Sequence, residues 1–280
     1  MKIIPISKEL HRDWCYIGLP HYMHTQNDAI APIVMAEISR LIVTNPIIFL
    51  DQDQLGLFSL QGLVPGRNLM IDKSGKWLGN YVPARYRSLP FILATDTGGK
   101  IGDDKLLCFI TDLNCVAKEF KENSTKIFND KAELSEDMSR VMKFLQSIDQ
   151  NEQLTKKALL SIKNADILED WTISLKLSDG EKKFSGLKKV NIEKLKLLPG
   201  KALEELNKTG ALDICFASHF SLTNIEKLRN LVISQSVEKD KNQPESSIET
   251  LRDKTIKKQK EAKKEEMDNL VRNLLLDDEI

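Results

Sequence analysis

The chain has 280 residues, of which 41% are hydrophobic and 29% charged, and its 41 basic side chains balance its 41 acidic ones. That composition is ordinary for a globular protein, and zero net charge excludes a global electrostatic pull toward nucleic acid or a membrane surface. The longest apolar runs are far below the ~20 residues of a membrane helix, so no membrane span and no nucleic-acid partner are expected.

The start, MKIIPISKELHRDW, has neither the apolar core nor the small-residue cleavage site of a secretion signal. Cys15, Cys108, Cys115 and Cys215 are scattered, without CxxC or zinc-type spacing. They read as reduced thiols of a cytoplasmic protein.

In chain order, Ile3, Ile4 and Ile6 suggest a strand that Pro5 confines to a sheet edge. Asn27 or Asp28 can cap a helix to about Val43, because Ile30, Ile33, Val34, Ile38, Leu41 and Ile42 recur at three- and four-residue steps. Pro46 ends it. Ile47–Leu50 is apolar throughout and predicts a central strand. Leu55–Leu63 and Asn68–Ile71 read as further strands, punctuated by Pro65-Gly66 and Lys73-Ser74-Gly75. Trp77–Val82 reads as extended, Pro83–Arg87 as a helical turn, and Phe91–Ala94 and Leu106–Thr111 as strands.

Ser135 can cap a helix from Glu136 to about Asp149, and a second helix over Glu152–Lys163 would complete a helical hairpin. WTISLKLS alternates over Trp171–Ser178, Asp179-Gly180 signals a hairpin, and Lys183–Val190 returns. Short helices follow over Asn191–Leu198 and Lys201–Lys208. Ala211–Ser218 fits a buried strand or a helical turn, and Thr223 opens a last helix to about Ser234.

Composition changes near Val237. The spacing predicts a body over 1–236, a charged linker over 237–250 and a charged helical tail over 251–280. The expected fold is α+β, or mixed α/β, with a central, mainly antiparallel sheet, flanking helices and the C-terminal helical tail. In the tail, Lys254–Lys264 reads as a solvated basic face diluted by Glu. Met267, Leu270, Val271, Leu274 and Leu275 form an apolar patch suited to docking a protein or peptide partner.

No Walker loop, dinucleotide fingerprint, HExxH or GxSxG occurs. Thr97-Gly98-Gly99-Lys100 lacks the rest of a phosphate loop. His21 and His24 are too few for a metal site, and no cofactor or metal is expected. Cys215 and His219 would lie ~13 Å apart on a strand, out of proton-transfer reach.

The residues of most interest are Trp77, Arg85, Tyr86 and Arg87, with Asn68 and Glu37. Guanidinium forks suit carboxylates and stack on aromatic rings. Two readings stay open. The cluster either binds an anionic or peptide ligand, or it is an Arg–carboxylate lock on the loop after the sheet, with Trp77 as core. An unpaired Arg87 facing a pocket would favour the first; an Arg87 satisfied by internal carboxylates, with no cavity, the second.

One family pattern is present. Glu37, then Asn45-Pro46-Ile47-Ile48-Phe49, Asn68-Leu69-Met70-Ile71-Asp72, Gly75-Lys76-Trp77, Tyr81-Val82-Pro83-Ala84, Arg87 and Pro90-Phe91 follow in an order that resembles the bacterial SapC family. Gly210-Ala211-Leu212 to Ser221-Leu222 is similar too, and the resemblance covers roughly residues 1–235. It takes its name from a locus for surface-layer proteins and their secretion, so the resemblance implies a non-enzymatic accessory role in surface-layer assembly or export. Members also occur beside flavin halogenase-like and cupin-like proteins. That implies, as the alternative, an accessory subunit or an unrecognised enzyme in peptide or protein modification. The resemblance supplies no catalytic residues, and the tail from Val237 begins where many members end.

Overall fold

A computed structural model describes residues 2–95, 105–118, 122–177 and 180–241. The chain divides into two compact units, Met1–Val232 and Ile233–Ile280. Of the second, only the end of the last helix is described. The apolar patch Met267–Leu275, the basic run Lys254–Lys264 and the loop Thr97–Lys100 lie outside the described residues.

The first unit opens with β1 (Ile3–Pro5), the one-turn α1 (Lys8–His11), β2 (Cys15–Tyr16) and β3 (Ile30–Pro32). Then come α2 (Ile38–Leu41), β4 (Ile47–Asp51), β5 (Leu55–Leu60), α3 (Ala84–Arg87), β6 (Phe91–Thr95) and β7 (Lys105–Ile110). Short strands β8 (Val116–Ala117) and β9 (Thr125–Lys126) precede the long α4 (Glu136–Asn164). A hairpin of β10 (Leu168–Leu177) and β11 (Gly180–Val190) follows. The order closes with α5 (Ile192–Lys196), α6 (Gly200–Lys208), α7 (Ala211–Ser221) and α8 (Ile225–Lys241).

The strands make a five-stranded sheet ordered β10-β11-β4-β5-β3 and two three-stranded sheets, β1-β7-β6 and β8-β2-β9. Their pairings are antiparallel. The fold is therefore the expected α+β arrangement with flanking helices. Pro5 and Pro32 both sit in edge strands, where a missing N–H breaks no ladder.

Apolar β4 is central because both of its faces are covered. Ile47 and Phe49 point to one side, with Leu55, Leu57 and Val190, under Leu159 and Ile162 of α4, Leu206 of α6 and Ile214 of α7. Ile48 points to the other, with Ile173, Leu175 and Leu187, against Leu69 and Met70 and against Leu228 and Val232 of α8. A third core joins Phe91, Phe109, Ile127 and Phe128 to Met138 and Leu145 of α4. Serines on α7 fasten β4 at its first residue. Ser221 Oγ accepts from Ile47 N (2.8 Å), and Ser218 Oγ donates to Ile47 O (2.8 Å).

Three expectations are corrected. The helix expected over 28–43 is instead β3, a 3-10 turn over Met35–Glu37 and the single turn α2. Ile30, Ala31 and Pro32 pair with Leu60, Ser59 and Phe58, so strand pairing overrides a helical apolar spacing. The helical hairpin over 136–163 is one 29-residue helix, about 44 Å long at 1.5 Å per residue. It reaches from the third core to the first, which is why it does not break at its polar middle. Asn68–Ile71 is not a strand; it keeps one isolated bridge, Ile71 to Trp77. Ala211–Ser218, left open between strand and helical turn, is part of α7. Cys215 on it is wholly buried while His219 faces out, and burial pushes the thiol up to about 12.

Candidate functional site

The segment after β5 carries too few apolar residues in strand register to extend the sheet, so it folds back over it. Its turn is built locally. Asp72 Oδ1 accepts from Ser74 N (2.8 Å), Ser74 Oγ (2.6 Å) and Lys76 N (2.9 Å). The Ser74 hydroxyl, then the Lys76 amide, hold its carboxyl below the usual range. Gly75 follows at φ +83°, and a Cβ there would lie 2.6 Å from Met23 Cγ and 2.8 Å from His21 Cβ. Only glycine suits both the backbone conformation and the approach.

That turn delivers Trp77 and Tyr81. Trp77 Nε1 donates to Tyr81 O (2.9 Å), and its ring meets Tyr22 and Tyr86 edge-on at 5.7 and 6.0 Å. Tyr86 is buried, and its hydroxyl donates to Asp28 Oδ2 (3.0 Å). Burial first, then the Asp28 charge, raise its pKa.

Tyr81 is the hub of the cluster. Its hydroxyl accepts from Arg87 Nη2 (2.8 Å) and donates to Glu37 Oε1 (3.2 Å). Glu37 is 4% exposed, so its charge must be hydrogen-bonded to persist. It is: Oε1 also accepts from Ala84 N (2.6 Å), the first N–H of α3, and Oε2 from Val34 N (2.9 Å). The second bond is the backward reach of a capping box at the 3-10 turn. The first caps α3 from a distant segment. Tyr81 stays a neutral donor, since burial and the Glu37 charge raise its pKa against the opposing pull of Arg87.

Arg87 Nε donates to Val82 O (3.0 Å), and its guanidinium carbon lies 4.9 Å from the Tyr81 ring centroid and 5.0 Å from that of Phe144. Arg40 approaches the same Tyr81 ring at 5.5 Å.

Of the six residues singled out from the sequence, Glu37, Trp77 and Arg87 therefore converge on Tyr81, and Tyr86 packs against Trp77. Asn68 belongs to a separate buried knot. Its Nδ2 donates to Thr25 O (3.1 Å) and Gln61 Oε1 (3.0 Å), and its Oδ1 accepts from Met70 N (2.9 Å). Arg85 points elsewhere, to Glu152 on α4 at 2.7 Å. Three clefts among the described residues have volumes of 410, 470 and 220 Å³. Arg85 lines the smallest, between α3 and α4, while Glu37, Asn68, Trp77 and Arg87 line none of the three. Arg87 thus meets neither of its expected patterns in full: it has no carboxylate partner among the described residues, and it faces none of these clefts. Sequence reasoning missed the roles of Tyr81, Arg40, Thr25 and Gln61. Tyr81 stood in a quoted motif, but a single tyrosine gives no sign of being a hub.

A model of the SapC family matches residues 6–228. The chain belongs to the SapC family. The SapC match takes in every residue of the Tyr81 cluster and of the Asn68 knot, and ends inside α8. No curated protein and no solved structure gives a significant match. Among the described residues no group of three or more His, Cys, Asp and Glu is arranged to hold a metal ion. No helix among them is long and apolar enough to cross a membrane.

Proposed function

We propose that this SapC protein is a non-catalytic binding or accessory protein, acting in the cytoplasm in the assembly or export of surface-layer protein. One observation carries the non-catalytic part: the cluster's polar atoms hold the protein's own backbone. Glu37 anchors two amides, Asn68 an amide and a carbonyl, and Arg87 a carbonyl. A carboxylate that already accepts three hydrogen bonds is poorly placed to take a substrate proton. The four cysteines are free and buried, which suits a reducing compartment better than thiol chemistry.

The surface-layer part rests on the family alone. The other reading, an accessory in peptide or protein modification, draws support from one feature: among the described residues Arg87 lacks a carboxylate partner, which leaves it to meet a ligand's.

Affinity capture of the full-length protein from its native host, followed by mass spectrometry, tests the proposal. Surface-layer protein or its export components should co-purify reproducibly. Capture of a modification enzyme together with its peptide substrate would favour the other reading, and no reproducible partner would count against both.

A further inference from the structure

We infer that the Arg40–Tyr81–Arg87 surface recognises carboxylates, and that its ligand is an acidic polypeptide segment. The inference rests on the binding role proposed above and names its chemistry.

Charge pairing is the first observation. Three other arginines find carboxylates: Arg85 has Glu152, Arg140 has Glu136 and Asp137, and Arg229 has Glu226. Arg40 and Arg87 have no ion-pair partner among the described residues, yet both stand over one tyrosine ring, at 5.5 and 4.9 Å. The carboxylate of the cluster, Glu37, is buried at the Tyr81 hydroxyl. Two backbone amides and the Tyr81 hydroxyl hold it there, so it cannot swing out to neutralise either guanidinium.

Preorganisation is the second. Bonds to Val82 O and to the Tyr81 hydroxyl fix Arg87, and the Phe144 ring flanks it. Its Nη1 makes no hydrogen bond to the described residues and is left to donate. An arginine already held in place loses little freedom on binding, and a guanidinium over an aromatic face still offers its fork to a planar carboxylate.

The geometry chooses a polypeptide. Two guanidiniums against one ring are at most about 10 Å apart. Same-face side chains on an extended strand repeat at about 7 Å, so one acidic strand can reach both. A single exposed ion pair is weak, whereas two on one chain reinforce each other. The rings of Tyr81 and Phe144 add apolar contact area beside the charges.

The test uses the full-length protein and a fluorescein-labelled octaglutamate peptide, with octalysine as the control, at low salt. Arg40 is exposed and makes no hydrogen bond to the described residues, so Arg40→Gln leaves the fold intact. Octaglutamate should bind, octalysine should not, and Arg40→Gln should weaken binding by about fivefold, the size expected of one charge-assisted contact. Arg87→Lys keeps the charge and loses the fork, and should also weaken binding. Arg140→Gln, on a paired arginine of α4, should leave it unchanged. Octaglutamate binding that Arg40→Gln does not alter, or no octaglutamate binding at all, overturns the inference. Inorganic phosphate that displaces the peptide at concentrations where acetate does not points to a phosphate site and overturns it too. If host capture succeeds equally well with Arg40→Gln, this site fails while the binding role stands; if wild-type captures nothing, the role itself fails.

Discussion

Two polar regions of this molecule use the same residue types to different ends. Glu37, under the Tyr81 hydroxyl, and Asn68 are buried, and they grip main chain: Glu37 holds Val34 and Ala84, and Asn68 holds Met70 and Thr25. Along α4 the charges lie at the surface and grip only each other, as in Arg85 with Glu152 and Lys105 with Asp149. In the interior a lost partner strands a backbone group away from water. At the surface water takes the partner's place, and salt screens what remains. The buried pair of knots should therefore define the fold of the segment after β5, and the surface pairs should merely decorate α4.

The sharpest way to break this contrast is Glu37→Ala. It removes the acceptor for two backbone N–H groups and for the Tyr81 hydroxyl. Orphaned buried donors cost ~1–3 kcal/mol each, so the loss should reach about 2–5 kcal/mol in urea denaturation. A loss under about 1 kcal/mol would mean that water replaces the carboxylate and that the knot is not structural. Asn68→Ala should come next, at about 2 kcal/mol, because Gln61 Oε1 and Met70 N lose their partner together. Intrinsic fluorescence is a second readout for both variants, since Trp77 hangs from the Tyr81 carbonyl and should become more exposed.

Much of this was legible in the chain, for reasons that can be named. The β10–β11 hairpin was readable because alternation and an Asp-Gly step agree. The cap at Ser135 was readable because its hydroxyl does accept from Met138 N (3.3 Å). β4 was readable as central from its unbroken apolar run. The failures share one cause: tertiary partners outweighed local pattern. Asp149–Glu152 looks like a helix break, but on α4 Asp149 and Glu152 face Lys105 and Arg85, and the helix runs through. Ile30, Ile33 and Val34 have helical spacing, but the edge of β5 claims Ile30–Pro32. In the cluster, Glu37, Trp77 and Arg87 meet at Tyr81, and the rest of the expected grouping was not legible. Asn68 and Arg85 stand apart from the Tyr81 hub, because spacing along the chain does not say which face of a folded-back loop a side chain will meet.

The surface side of the comparison predicts a small number. Side chains of Arg85 and Glu152 are 46% and 33% exposed, so Arg85→Ala should cost about 0.2–1 kcal/mol, and less in high salt. Urea midpoints at two ionic strengths check this. A cost like that of Glu37→Ala would erase the distinction between the two regions.

The smallest effect concerns a half-buried histidine. His24 Nε2 is buried without a hydrogen-bond partner among the described residues, and burial lowers the ring's pKa despite the opposing pull of Asp28. The sign follows from proton counting. Below about 6.5 the unfolded chain takes up a proton that the folded ring resists. The neutral ring's contribution is therefore complete above the unfolded pKa and is lost as pH falls from there through the folded one. His24→Gln should flatten the stability–pH curve in that window and leave it unchanged near pH 8. Denaturation midpoints from pH 8 to 5, wild type against variant, measure the difference. An acid slope that survives the substitution would assign it to carboxylates, and would put His24 with the solvated residues of the surface.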